Sequence, residues 1–197
     1  MAEKADASGS PSPPAKTSLF KKILVTLALL IAVFLVVVAL QPPKYHVERS
    51  IKIDAPAEVV FDQVNDLHKW RAWSPWEKKD PNMTRTYDGP ESGDGAQYSW
   101  KGNAEVGEGR MTITKSDPNA LIAIKLDFFK PFEGTSVAEF TFKPEGDGTA
   151  VRWSIDGEKN FISKAICLFM NMDQMIGKDF EQGLADLKAV SEKDAKK

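Results

Sequence analysis

The feature that most constrains this chain is the run Ile23–Leu40, eighteen residues without a charge and with Thr26 as the only hydroxyl. At about 1.5 Å per helical residue it spans roughly 27 Å, close to the hydrocarbon thickness of a bilayer. Thr26 can return its hydroxyl to the helix backbone. Gln41-Pro42-Pro43 ends the run, since proline cannot continue a helix. Residues 19–41 are therefore expected to form a retained transmembrane anchor, with a cleaved signal peptide as the alternative. The apolar core is longer than a signal peptide's usual 7–15 residues, and Val37-Val38-Ala39 is an indifferent cleavage site.

Residues 1–18 are Ala, Ser, Pro, Lys and Gly with little to bury, and read as a disordered tail. Lys16, Lys21 and Lys22 precede the anchor, and Lys44 and Arg49 follow it. The bias toward basic residues before the span orients the N-terminus to the cytoplasm and the main domain to the periplasmic or extracytoplasmic side.

Charge divides the chain further. Residues 1–44 hold five Lys against two acids, for +3, whereas the remaining 21 basic and 26 acidic residues leave −5. An acidic domain argues against nucleic acid as a partner, because phosphates require a basic face. The single cysteine, Cys167, permits no intrachain disulfide and no cysteine-based metal site, and reads as a small helical hydrophobe.

From Tyr45 to Ile53, Val47, Arg49, Ile51 and Ile53 share one parity and Glu48, Ser50 and Lys52 the other, which is a half-buried strand. Asp54-Ala55-Pro56-Ala57-Glu58 reads as a helix start, with Asp54 as the capping residue, and Val59, Val60, Phe61 and Val64 give that helix an apolar face. A second short helix or turn is expected over Asn65–Trp73, stopped by Pro75. Turn residues then recur at short intervals, as in Asp88-Gly89-Pro90, Gly93-Asp94-Gly95 and Gly146-Asp147-Gly148. The alternating runs between them predict five or six antiparallel strands. Toward the end, Ile162, Ile166, Phe169, Met172, Ile176, Phe180, Leu184 and Leu187 fall at spacings of three and four, predicting one long amphipathic helix with Gly177 and Gly183 inside it. Ser191–Lys197 is a charged tail. A one-sided sheet needs a cover, and this helix is the only element long enough to supply it.

Val47-Glu48-Arg49-Ser50-Ile51-Lys52-Ile53-Asp54-Ala55-Pro56-Ala57-Glu58-Val59-Val60-Phe61, Trp70-Arg71-Ala72-Trp73-Ser74-Pro75-Trp76 and the closing helix resemble the START-like, helix-grip (SRPBCC) superfamily, and within it the bacterial polyketide cyclase/dehydrase and lipid transport group. The resemblance covers residues 45–190. It implies an α+β helix-grip fold, a curved antiparallel sheet wrapped around a long C-terminal helix, with a cavity for hydrophobic ligands such as lipids, sterols, quinones or polyketides. It implies no particular reaction and no cofactor.

The residues expected to line that cavity are Trp73, Trp100, Met111, Ile113, Ile124, Leu126, Phe128, Phe140, Trp153, Phe169 and Met172. Arg49, on the inward parity of the first strand, is the candidate for a ligand's carboxylate or phosphate, or else a strand-end residue reaching solvent. Trp70, Trp73 and Trp76 plug the core, line or gate the cavity mouth, or sit at the lipid interface. Glu105, Glu108, Asp127 and Glu139 show no arrangement that makes a general acid–base pair. His46 and His68 have no spacing that joins them to a metal site. The expected function is a membrane-anchored binding module for a hydrophobic small molecule or lipid. A cyclase or dehydratase working in the same cavity would need an inward acid and base. A domain that binds another envelope protein would have a filled core and an exposed apolar patch.

Overall fold

The computed structural model describes residues 16–197, and side chains from Leu19 onward. The stretch 1–15 of the expected tail lies outside the described residues. Helix α1 runs Lys16–Leu40, so the last three residues of that expected tail begin the helix instead. Within it Leu19–Leu40 is long and apolar enough to cross a membrane, a test that a signal sequence also passes.

Residues Pro42–Lys197 form a unit with its own core. Its first strand, β1 (Lys44–Ile53), is followed by helix α2 (Ala57–Asn65), a 3-10 turn (Lys69–Ala72) and helix α3 (Pro75–Lys79). Six strands follow: β2 (Thr84–Asp88), β3 (Gln97–Lys101), β4 (Glu108–Asp117), β5 (Leu121–Lys130), β6 (Gly134–Glu145) and β7 (Gly148–Glu158). Helices α4 (Phe161–Cys167) and α5 (Met172–Asp194) close the chain. The seven strands form one antiparallel sheet in the order β1-β7-β6-β5-β4-β3-β2. Each hairpin from β2 to β7 pairs with its chain neighbour, and only β1 crosses over, to lie beside β7. Register shifts at Glu108/Gly109 and Ile113/Lys115 mark irregular steps in the β4–β5 ladder, and such bulges increase local twist.

The parity read from the sequence decides what each strand buries. Ile122 and Ile124 on β5, Phe140 and Phe142 on β6, and Val151, Trp153 and Ile155 on β7 face a common core. Helix α5 lies across that face. Its buried residues, Gly177, Phe180, Gly183, Leu184, Leu187 and Ser191, make one stripe. Phe180 stacks on Trp153 with centroids 3.9 Å apart and planes 9° from parallel. The result is the helix-grip arrangement.

The two glycines within α5 mark its closest approaches. A Cβ at Gly183 would sit 2.8 Å from Trp153 Cζ3 and 3.0 Å from Pro75 Cδ. A Cβ at Gly177 would overlap the Arg49 guanidinium.

Three local expectations need correction. Pro75 does not merely stop a helix: it opens α3 at the first-turn position, where its missing N–H costs nothing. Asp54 does not cap α2, whose N-cap position is Pro56 without a side-chain bond; Asp54 instead donates its backbone N–H to Glu192 Oε1 at 2.9 Å and accepts from Lys188 Nζ at 3.3 Å. The closing helix is not continuous. Asn160 caps α4 by accepting from Ser163 N at 2.8 Å, and Asn171 caps α5 by accepting from Gln174 N at 3.2 Å. Two capping asparagines eleven residues apart make two helices of a stretch whose apolar spacing reads as one.

Candidate functional site

Between α5 and the sheet lies a cavity of about 300 Å³. The sheet contributes Tyr98 and Trp100 from β3, Met111 from β4, Ile124, Leu126 and Phe128 from β5, Ala138 from β6, and Trp153 and Ile155 from β7. Helix α3 supplies Trp76, Glu77 and Lys79, and α5 supplies Met175, Ile176, Asp179 and Phe180. Trp70, Ser74, Met83, Tyr45, Glu105 and Val106 complete the lining. The walls are dominated by aromatic and aliphatic side chains with a few polar groups, the usual character of a small-molecule site.

Six of the twelve expected site residues border this space: Trp100, Met111, Ile124, Leu126, Phe128 and Trp153. The structure places the other six elsewhere. Trp73, Ile113 and Phe140 are fully buried behind the lining, Trp73 with its indole N–H donated to Gln63 O at 3.0 Å. They are core because the aromatic cluster is more than one layer deep: Trp73 and Phe140 both lie within 6.5 Å of Trp70 and Trp153, centroid to centroid. Phe169 is 82% exposed, and Met172 is half-buried outside the lining, because the helix breaks between them and the shared stripe is lost.

Arg49 does point to the inner face, across from Trp153 in the ladder, but α5 covers it. Its Nε donates to Glu181 Oε1 at 2.7 Å, its Nη1 and Nη2 reach the two Asp173 oxygens at 3.0 and 3.1 Å, and Nη1 also reaches Glu48 O at 2.7 Å. These bonds raise its proton affinity further and hold the Asp173 carboxyl below the usual carboxylate range. Arg49 clasps α5 to β1 and offers no charge to the cavity.

The polar group that does border the cavity is Glu77, on α3. It is buried, and it accepts from Arg85 Nε at 2.9 Å and from the Tyr98 hydroxyl at 2.9 Å. Burial raises the Tyr98 hydroxyl well above its ordinary value, and the adjacent carboxylate adds to this, so Tyr98 remains a donor. A buried carboxylate sharing an Arg and a Tyr is satisfied rather than reactive. Sequence reasoning passed over this triad because its members come from a helix, a strand and the next strand, with no shared periodicity. The Trp100 indole N–H is bonded to Val106 O at 3.0 Å, whereas Trp153 buries its indole N–H without a hydrogen-bond partner.

The mouth is edged by exposed Met175 and Glu105 and by the Lys79–Asp179 pair at 2.6 Å. Tyr45, inside it, bonds Ser136 Oγ at 2.8 Å. Its hydroxyl is raised, chiefly by burial, with smaller contributions from Asp156 and from the Cys167 thiol of α4. A second depression of about 340 Å³ lies at the opposite end of the sheet, where His68 stacks on Tyr87 at 4.0 Å. Among the described residues no cluster of three or more His, Cys, Asp or Glu is placed to hold a metal ion.

Comparison with known proteins gives a consistent result. The family described as polyketide cyclase / dehydrase and lipid transport matches residues 44–192. No curated protein sequence matches the chain. Among solved structures, a protein from Chromobacterium violaceum is similar at a TM-score of 0.55 and 16% identity, covering 77% of this chain and 99% of that one. A protein from Rhizobium leguminosarum is similar at a TM-score of 0.52 and 17% identity, covering 76% and 97%. The di-domain ARO/CYC StfQ from the steffimycin biosynthetic pathway is similar at a TM-score of 0.56 and 10% identity, covering 79% of this chain and 53% of its own. At these identities the likeness concerns the fold alone.

Proposed function

We propose, from the premise that the chain belongs to the polyketide cyclase / dehydrase and lipid transport family, that it is a membrane-anchored binding module for a hydrophobic small molecule or lipid, held in the cavity under α5. The observation that carries this reading is the cavity itself: about 300 Å³, walled largely by apolar side chains. The ligand class follows from the lining. A largely apolar body suits Met111, Ile124, Leu126, Phe128 and Ile155. The anchor is Leu19–Leu40, retained rather than cleaved, with residues 45–190 as the binding domain on the periplasmic or extracytoplasmic side. Lys16, Lys21 and Lys22, at the N-terminal end of the helix, support that orientation.

The cyclase alternative asks for an acid and a base facing the substrate. Of the three carboxylates bordering the cavity, Glu77 is committed to Arg85 and Tyr98, Asp179 to Lys79, and Glu105 is exposed at the mouth. Nothing in this lining favours a reaction over retention.

The test is organic extraction of purified residues 42–197, expressed in a bacterial host, followed by mass spectrometry. We expect a hydrophobic compound in near-stoichiometric yield. A domain that never yields one, and that does not shift the emission of an environment-sensitive hydrophobic dye, would refute the binding reading.

A further inference from the structure

Helix α4 buries none of its seven residues. A helix this short is marginal even when its apolar face is covered. Here Phe161 and Ile162 are about half exposed, and Phe169, just past its end, is 82% exposed. At the end of β5 and in the loop that follows it, Phe129 and Phe132 are 45% and 44% exposed. In sequence these groups are thirty residues apart, but the ladder brings them together. Phe128 is opposite Gly134 in the β5–β6 ladder, Ser136 is opposite Gly157 in β6–β7, and Gly157 is opposite Tyr45 in β1–β7. The β5–β6 loop, the end of β7 that leads into α4, and the start of β1 therefore occupy one end of the sheet. The cavity opens at that end, since Tyr45, Phe128 and Met175 are all in its lining.

The same end receives the chain from α1. Lys159, two residues before α4, donates its backbone N–H to Pro43 O at 2.6 Å. Only Gln41, Pro42 and Pro43 separate α1 from β1, a link that reaches at most about 14 Å.

We propose that this end of the domain is a bilayer-docking face: α4 and the Phe129–Phe132 loop sit in the interfacial layer of the membrane, so that a hydrophobic ligand passes between lipid and cavity without crossing water. The inference rests on reading α1 as an anchor and the cavity as a hydrophobic-ligand site. The occupant is a bilayer and not a soluble protein because a span ending three residues before β1 already holds this face at the lipid surface. Unburied Phe and Ile on a short helix are the groups that partition into such an interface. Charges of both signs are mixed there, Lys44, Lys101, Lys130, Lys159 and Lys164 with Glu105, Glu108, Glu133 and Glu158, so apolar insertion rather than anionic lipid alone drives the contact.

The chain supplies its own probe position, since Cys167 on α4 is its only cysteine and is partly exposed. The full chain, labelled there with a nitrobenzoxadiazole fluorophore, is reconstituted into phosphatidylcholine vesicles. Quenching by shallow doxyl-phosphatidylcholine is compared with quenching by aqueous iodide. The reference is Asp147→Cys in a Cys167→Ser background, at the opposite end of the sheet. We expect at least twofold stronger lipid quenching at Cys167 than at the reference, and loss of at least half of it in Ile162→Ser/Phe169→Ser. Equal iodide quenching at the two positions overturns docking. So does a Cys167 label shielded from both quenchers in a protein-concentration-dependent way, which would place a second copy on the face. Retention of extractable ligand alongside either result limits the failure to docking and leaves the binding reading intact.

Discussion

At the scale of single residues, the contact between Gly177 and Arg49 explains both. Without a Cβ at 177, α5 settles directly onto the guanidinium, and the guanidinium in turn ties Asp173 and Glu181 to β1. Gly177→Ala gains about 1 kcal/mol of intrinsic helix propensity, but forces the helix off Arg49 at an overpacking cost of about 1–3 kcal/mol. We expect a net loss of roughly 1 kcal/mol in urea unfolding of residues 42–197. In an Arg49→Ala background the obstacle is gone, and Gly177→Ala should become neutral or stabilising. An unchanged loss in both backgrounds would show that the glycine serves something other than room for Arg49. Arg49's inward parity was legible in the sequence, but its partners were not. They lie more than 120 positions downstream on a helix whose rotational setting only packing decides.

At the scale of elements, the strands were legible because a two-residue period is a local signal: the apolar parity it marks on β5, β6 and β7 faces the core, although Ala123 and Ser154 are buried on the opposite parity. The closing helix was legible only in its second half. Its three-and-four spacing continues through Phe169 without registering that Asn171 restarts the helix, so Phe169 and Met172 were assigned to a stripe they leave. Glu77 was illegible for a related reason, since its ion pair with Arg85 joins a helix to a strand across a turn. The β1–β7 pairing carries a pH dependence of its own. His46 bonds Asp156 Oδ1 at 2.9 Å across the ladder, and that bond raises the imidazole above its usual 6.5. A raised folded value means the stabilisation is complete below 6.5 and is lost as pH rises through the folded value. Proton NMR should place the His46 midpoint above 6.5. The unfolding free energy of the parent should fall relative to His46→Gln between pH 6 and pH 8, and parallel curves would remove this pairing from the account.

For the whole domain the question is whether the space under α5 is specified or incidental. Ala138 sits on β6 facing the cavity, with Ile155 opposite it on β7 and Ile124 opposite it on β5. A larger residue elsewhere in a filled core costs about 1–3 kcal/mol. Ala138→Leu should cost under about 1 kcal/mol, because its added carbons enter a void, whereas Ala55→Leu, at a buried site away from the cavity, should pay the full overpacking penalty. Ala138→Leu should also abolish ligand recovery by extraction. Equal destabilisation at the two sites would mean that α5 and the sheet close on each other when Ala138 is present.

The aromatic lining has a further consequence. The chain has five tryptophans; Trp70, Trp76, Trp100 and Trp153 border the cavity, and Trp73 packs behind them, tilted on Trp70 and edge-on to Trp153. The near-ultraviolet emission of the domain therefore originates almost entirely at the walls of one chamber. Whatever enters alters the polarity around several indoles at once, so the protein's own luminescence is a gauge of occupancy, and loading and emptying can be followed in time without any attached dye.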